Sequence, residues 1–273
     1  PGMILAMIIS IPISILLGFM CGKLLNMAKG REMVTSYIIS FFMNGLYQLV
    51  VLYMMGSIIP IIHSSIKLPR GYGIRNTVSL LHMRQSLDNL LAIRIGGVKI
   101  PVLTLIITGL LCLFILWFSK TKLGQDMRAV GQDMDVAGDA GIKVERTRII
   151  AIVMSTVLAG IGMVIYLQNM GNISTYSSHT QIGMFCIAAL LVGGASVDKA
   201  SIGNVFLGVT LFHLMFIVAP SAGAKITGDS MIGEYFRVFI SYGVITVALI
   251  MYETKKRLAK GKAGQMLQLA QSE

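Results

Sequence analysis

Charged residues are scarce in this chain of 273 residues. They make up 13% of the sequence, whereas about 25% is usual in a soluble domain. Five long stretches contain none at all: 3–22, 33–62, 101–119, 149–197 and 200–224. A bilayer core is about 30 Å thick and takes roughly 20 helical residues to cross. Five such stretches in one chain exclude a soluble globular protein and predict a membrane protein.

Residue patterns that mark catalytic and metal sites are also few. The three cysteines, Cys21, Cys112 and Cys186, lie in apolar stretches without CxxC spacing, so we interpret them as packing residues. The four histidines have no carboxylate neighbour at helical spacing, which argues against an intramembrane enzyme. No GxxxxGK(S/T) phosphate-binding loop occurs. We expect no catalytic residue, no bound metal and no cofactor in this chain.

The apolar stretches predict an all-α fold, a polytopic transmembrane helix bundle of about seven spans. We place this domain at residues 1–252 and a basic tail at 253–273. The predicted spans are 3–22, 35–57, 101–118, 149–167, 182–197, 202–219 and 235–252. The fifth is short and contains Gly183, Gly193 and Gly194, so we expect a tilted, broken or re-entrant element there. Small residues such as Gly45 and Gly160 should let helices approach closely.

Basic residues between the spans predict the orientation. Fifteen of the 23 lysines and arginines lie in the connections 23–34 and 119–148, at Lys199 and in the tail, which all share one side. Because basic loops stay in the cytoplasm, this side and the C-terminus should be cytoplasmic. The loop 58–100, placed outside, opposes this with six basic residues. The basic residues behind the net charge of +11 lie between and after the apolar spans, as membrane topology requires, so the charge does not indicate nucleic-acid binding.

The outer loop has its own pattern. Between Asn76 and Ile95, the charged residues Arg84, Asp88 and Arg94 lie among apolar residues at spacings that favour a surface helix at the membrane interface. The alternative is a packed cap over the outer ends of the helices.

The connection 120–148 is the most informative loop. It mixes six basic and five acidic residues, so it is not a polybasic lipid anchor. Gln132 or Asp133 can begin a short helix, and Gly141 can end it in a left-handed cap. Such a helix would offer a rigid projection to a soluble partner, whereas the alternative is a solvated linker.

Four segments carry a resemblance to a known family. The stretch AVGQDMDVAGDAGIKVERTRIIAIVMSTVLAGIGMVI resembles the cytoplasmic coupling loop and following helix of ABC-importer permeases of the ribose/xylose/galactose type, which are related to branched-chain amino acid permeases. LLGFMCGKLL resembles an early Gly-Leu-x-Asn-Gly turn, and GGVKIPVLTLII resembles a Gly-Ile-Pro-x-Pro start of a middle span. AALLVGGASVDKASIGNVFLGVTLF resembles a Gly-Gly-x-Ser loop followed by Gly-Ser-x-x-Gly. The four occur in the family's order over nearly the whole chain.

The resemblance implies partners and a coupling site. An ATPase subunit would hydrolyse ATP, a second permease copy or paralogue would complete the path, and an extracytoplasmic solute-binding protein would deliver solute. The residues expected to dock on the ATPase are Gln132, Asp133, Val136, Ala137, Gly141 and Ile142. The implied location is the bacterial plasma membrane, where the chain is a permease subunit and not an enzyme.

The sequence departs from the family pattern in three respects. Cys21 replaces the asparagine of the early turn, and Gly138 follows Ala137 where the family prefers Ala-Ala. That glycine should loosen the coupling helix by up to about 1 kcal/mol. Family members usually have further spans before the point where this chain starts, so we expect an N-terminal truncation.

Polar residues within the spans are candidates for lining the path, because intramembrane polar groups are costly. The candidates are Asn44, Tyr47, Gln48, Asn169, Asn172, Asn204 and His213. The alternative for each is hydrogen bonding between helices or exposure at the interface. Uncharged groups suit a monosaccharide, and a nucleoside or another small metabolite remains open. The absence of Asp, Glu, Lys and Arg from the span centres argues against a proton- or cation-coupled secondary carrier.

Overall fold

The computed structural model describes residues 2–28, 30–61, 66–80, 85, 87–89, 91–95, 98–195 and 199–229, and isolated positions between 232 and 254. Most of the seventh predicted span, 235–252, and nearly all of the basic tail therefore lie outside the described residues. The chain divides into two compact units, Pro1–Ser178 and His179–Glu273.

The first unit contains six helices and four short strands in its described part. Its helices are α1 (Gly2–Met27), α2 (Glu32–Leu49), α3 (Val102–Ser119), α4 (Lys122–Gln132), α5 (Met134–Asp139) and α6 (Val144–Leu167). A π-helical turn, Val50–Met54, extends α2. The strands are β1 (Thr77–Ser79), β2 (Ala92–Ile95), β3 (Val98–Pro101) and β4 (Asn172–Ser174). The second unit contains α7, which begins at the boundary (Ser178–Val192), and α8 (Ile202–Thr227).

Five of these helices are long and apolar enough to cross a membrane: Gly2–Met27, Glu32–Met54, Val102–Ser119, Val144–Leu167 and Ile202–Ile226. Large apolar side chains along them stay exposed, for example Phe41 at 75% and Trp117 at 64%. A soluble protein does not leave such extensive apolar surface in water, so lipid is the solvent that these faces fit. The prediction of a polytopic helix bundle is confirmed.

The fifth predicted span is a short helix, as expected. α7 has 15 residues and is followed by Gly193 and by Gly194, whose φ is +82°. Ser201 then caps α8, and Asn204 completes a reciprocal capping box with it. In this unit Phe185 and Phe212 pack beside the buried Ala188.

Helices α1 and α6 form the most extensive helix contact of the first unit. A Cβ on Gly18 would lie 2.9 Å from the Val153 Cα, and one on Gly22 would lie 3.2 Å from the Ile149 Cα. Gly160 likewise approaches Ser14, whereas Gly45 faces open space in the described structure. The early glycine pair therefore lies inside α1 and not in a turn, because its four-residue spacing places both glycines on one helix face.

The segment expected to form a surface helix, 76–95, contains strands in its described part. β1 pairs antiparallel with β4, and β2 pairs with β3 as a hairpin. The helical periodicity was misleading because β-branched residues and cross-strand partners from residues 172–174 favour strands here. The described residues fit the alternative, a packed cap over one end of the unit.

Candidate functional site

The connection 120–148 is built from two helices joined at a sharp bend, and we call residues 121–142 the coupling segment. Thr121 caps α4 by accepting a hydrogen bond from the Gly124 amide at 3.3 Å. At Asp133 the backbone becomes extended, with φ −154° and ψ 119°. The carboxylate of Asp133 accepts hydrogen bonds from the amides of Asp135 (2.9 Å) and Val136 (3.0 Å). The prediction that a short helix begins at this point is confirmed.

The end of α5 is equally well defined. Gly141 has a φ of +83°, which a residue with a Cβ rarely adopts. The Ile142 amide donates to the Ala137 carbonyl at 3.1 Å and closes the turn. The predicted left-handed cap is confirmed, so α5 is capped at both ends between α4 and α6.

Burial divides the six predicted docking residues into two groups. Gln132, Asp133, Val136 and Gly141 are exposed, and Val136 is 65% exposed. Ala137 is only 3% exposed, and Ile142 is half-buried. Ala137 therefore packs the segment against its own unit, where it cannot touch a partner unless the segment moves.

Helix α4 is a part of this segment that the sequence reasoning missed. Its signal was present in the cap Thr121 and in the apolar residues Leu123, Met127 and Val130, spaced as on one helix face. Val130 is buried and Leu123 is 42% exposed. A cavity of about 270 Å³ lies between this segment and the start of α6, lined in part by Met127, Met134 and Arg148.

The coupling segment shares one end of the first unit with the connection between α1 and α2. There the Asn26 side chain donates to the Glu145 carbonyl at 2.9 Å, and Arg148 donates to Glu32 at 3.0 Å. The strands lie at the other end of α6, which is about 36 Å long at 1.5 Å per residue. We call these the coupling end and the strand end. The two basic connections expected to share a side therefore do so.

Three candidate path residues lie together on α2. Asn44, Tyr47 and Gln48 are three and four residues apart and so share one face. The Tyr47 hydroxyl donates to the Thr175 carbonyl at 2.7 Å. The Asn44 Oδ1 atom is buried, and no described residue donates a hydrogen bond to it. The π-helical turn begins just beyond them, and π turns are frequent at functional sites.

The other four candidates are dispersed. Asn169 and Asn172 are exposed near the strand end, Asn172 on β4 opposite Ser79. In the second unit, Asn204 caps α8 and donates to the Gly193 carbonyl at 2.7 Å, so its amide is engaged in structural contacts. His213 is exposed on α8.

A buried polar cluster at the strand end escaped the sequence reasoning. Gln168 is fully buried and its Nε2 donates to Asp88 at 3.1 Å and to Thr104 at 3.3 Å. Its Oε1 accepts from the Leu87 amide at 3.1 Å, and the Thr104 hydroxyl also donates to Asp88. The cluster joins the outer loop to α3 and α6. No periodic sequence pattern predicts this cluster, because Gln168 lies 64 residues from Thr104 and 80 residues from Asp88.

Metal binding is not indicated by the described residues, which contain no group of three or more His, Cys, Asp or Glu side chains able to hold an ion.

Comparison with known proteins agrees with the resemblance seen in the sequence. Residues 2–250 match the family described as branched-chain amino acid transport system / permease component. The nucleoside ABC transporter permease protein NupB of Lactococcus lactis is 29% identical over 168 residues, which cover 61% of this chain and 42% of that protein. No solved structure matches the chain at a significant level.

Two sugar permeases are similar over comparable lengths. The xylose transport system permease protein XylH of Haemophilus influenzae is 29% identical over 163 residues, covering 59% of this chain and 40% of that protein. The L-arabinose transport system permease protein AraH of Escherichia coli is 28% identical over 163 residues, covering 59% and 45%. The matched part spans less than half the length of each relative. Since the family match extends over nearly the whole chain, the protein belongs to the permease-component family of branched-chain amino acid transport systems and is a multi-pass membrane protein.

Proposed function

We propose that this chain is part of the membrane-spanning permease of an ATP-binding-cassette importer, in which the coupling segment docks on a separate ATPase subunit. The single observation that supports this most is the exposure of Val136 on α5. This helix is capped at both ends, by Asp133 and Gly141, so its position is fixed. An apolar side chain presented on a rigid helix outside the spans is suited to burial in a partner.

The remaining partners follow from the proposed path. A second permease copy or a paralogue would face the polar side of α2. Asn44 Oδ1 is buried there without a hydrogen-bond donor among the described residues, and a solute that enters the path would supply one. An extracytoplasmic solute-binding protein would dock at the strand end. In this arrangement the coupling end and the C-terminus face the cytoplasm of a bacterial cell, and the protein lies in the plasma membrane.

The proposed solute is a small uncharged molecule rich in hydroxyl groups, in the first place a monosaccharide. Asn44, Tyr47 and Gln48 offer amide and phenol groups that exchange hydrogen bonds with hydroxyls. A nucleoside is the second candidate, because two proteins named as nucleoside permeases are among the relatives. Both classes carry a pentose or hexose ring that the same groups could bind.

A secondary carrier is disfavoured by the distribution of charge. In the spans that the structure describes, every Asp, Glu, Lys and Arg lies among the five residues nearest a helix end. A proton- or cation-coupled carrier usually has a carboxylate or a basic Lys or Arg side chain deep in the membrane. Energy for transport would therefore come from ATP on the partner.

Uptake into proteoliposomes tests this function. The assembled transporter, with its ATPase and binding protein, is offered radiolabelled D-xylose, L-arabinose, ribose and uridine with and without internal ATP. We expect uptake of one class only when ATP is present. Flux that continues without the ATPase would instead show a carrier or channel.

A further inference from the structure

Three helices of the first unit are tied together at the coupling end by two side-chain contacts. Glu32 is the first residue of α2, and Arg148 lies in the first turns of α6. Arg148 Nη2 lies 3.0 Å from Glu32 Oε1 and donates to it. Asn26, near the end of α1, donates to the backbone carbonyl of Glu145 at 2.9 Å. Within the described residues, this ion pair links the start of α2 to the start of α6.

The ion pair is shielded from water more on one side than on the other. The Arg148 side chain is 13% exposed and the Glu32 side chain 33%. Charges that are partly removed from water attract each other more strongly than fully exposed ones. The second terminal nitrogen of Arg148, Nη1, is buried and has no hydrogen-bond partner among the described residues. Glu32 is therefore the group that holds this guanidinium in place.

Arg148 also lies beside the coupling segment. It forms part of the wall of the 270 Å³ cavity, together with Met127 and Val130 of α4 and Met134 of α5. The Ile142 amide bonds back to Ala137, so α5 leads into α6 through a closed turn. A displacement of α5 therefore reaches the start of α6 directly.

The helices that these two contacts join to α6, α1 and α2, differ in how closely they pack. α1 packs closely along α6 through Gly18 and Gly22, so it follows α6 without needing a polar tie. α2 packs much less against α1 than α6 does. It nevertheless carries Asn44, Tyr47 and Gln48, the polar face of the proposed path. A specific link between α6 and α2 is thus needed at the coupling end.

We propose that Glu32 and Arg148 are positioning residues for transport, whose ion pair passes movement of the coupling segment to the polar face of α2. When the ATPase moves α5, Arg148 moves with α6 and carries the start of α2 through Glu32. This inference rests on the proposed function, and it names the contact through which coupling reaches the path.

A charge swap in the assembled transporter tests the proposal. The variants are Glu32→Gln, Arg148→Gln and the double variant Glu32→Arg with Arg148→Glu, reconstituted with ATPase and binding protein. The readouts are ATPase co-purification, ATP hydrolysis and uptake of the labelled pentoses and uridine. Arg146→Gln is the matched control, because Arg146 is an exposed arginine two residues away on the same helix.

The single variants should keep the ATPase bound and still hydrolyse ATP, since the coupling segment is unchanged. Uptake per ATP should fall by roughly tenfold, within the range measured for directly interacting pairs. The swap should restore most of it, although an arginine at the N-terminus of α2 is less favourable than a glutamate. Arg146→Gln should transport like the unchanged chain.

Two results would overturn the proposal. One is unchanged uptake per ATP in both single variants. The other is a swap that accumulates in the membrane and binds the ATPase but does not regain uptake. If a single variant fails to accumulate, uptake per ATP in the swap decides: a swap that accumulates and binds the ATPase supports the proposal only when it also regains uptake. If the transporter with the unchanged chain shows no ATP-driven uptake, the proposed function itself would be contradicted.

Discussion

The hydroxyl of Thr156 in α6 lies 3.1 Å from the backbone carbonyl of Ser14 in α1. This contact lies one turn from Gly18, where a Cβ would also meet the Thr156 hydroxyl. Two helix backbones that approach so closely leave no room for a methyl group. The helices α1 and α6 are therefore closely packed at this point.

Gly18→Ala should destabilise this helix pair. Its Cβ would lie 2.9 Å from the backbone of Val153, which cannot yield as a flexible side chain does. We expect a loss of about 1–3 kcal/mol, as for overpacked cores, measured as the free energy of unfolding in detergent micelles. Gly109→Ala in α3 is the control, since open space surrounds that position in the described structure. Equal stability of the two variants would contradict the close approach.

Gly138→Ala should stabilise the coupling segment. The position lies inside α5, and an added Cβ would meet only the Val144 side chain, at 3.8 Å. Alanine in place of glycine in a helix gains about 0.5–1 kcal/mol. Hydrogen exchange of the α5 amides should slow accordingly, and faster exchange would show that the glycine is required.

Gln168→Leu should weaken the strand end. The substitution leaves the Leu87 amide and the Asp88 carboxylate without the bonds that Gln168 supplies. An unsatisfied buried group costs about 1–3 kcal/mol, so the thermal unfolding midpoint should fall. Asn169→Leu, next to it in sequence but exposed, should leave that midpoint nearly unchanged. A similar fall in both would indicate a nonspecific effect of leucine.

Asn204→Ala should loosen the junction of α7 and α8. It removes both the capping box and the hydrogen bond to the Gly193 carbonyl. The Ser201 cap remains, because it accepts from the backbone amide of residue 204. The main cost is the unpaired Gly193 carbonyl, about 1–3 kcal/mol. Asn204→Asp keeps a side-chain oxygen that accepts from the Ser201 amide but loses the donor to Gly193. Its thermal unfolding midpoint should lie between those of the unchanged chain and Asn204→Ala. If Asn204→Ala instead changes only solute uptake, the residue belongs to the path.

The sequence predicted the membrane helices well because charge scarcity and length are local properties. It also predicted α5, since Asp133 and Gly141 act within a few residues of their positions. It did not predict the strands at 77–79 and 92–101, because their pairing depends on partners elsewhere and the segment has a competing helical period. The Asp88–Gln168 and Glu32–Arg148 contacts were also beyond its reach, as they join residues 80 and 116 positions apart.

Dispersion of the candidate path residues has the same origin. Helical spacing correctly placed Asn44, Tyr47 and Gln48 on one face, which is a local relationship. It could not show that the Asn204 amide donates a hydrogen bond to the Gly193 carbonyl, because that contact depends on how α7 ends. A list of polar residues in spans thus mixes side chains that are already bonded with Asn44, whose buried Oδ1 accepts no hydrogen bond from the residues that the structure describes.

Co-purification of the ATPase with a Val136→Glu variant tests the central claim most directly. Leu91→Glu is the control, because Leu91 is an apolar residue with 54% exposure near the strand end. If α5 docks on the ATPase, a buried carboxylate at residue 136 should remove the ATPase from purified membranes while membrane insertion and the Leu91→Glu complex remain intact. An ATPase that stays bound to Val136→Glu as firmly as to the unchanged chain would contradict the account.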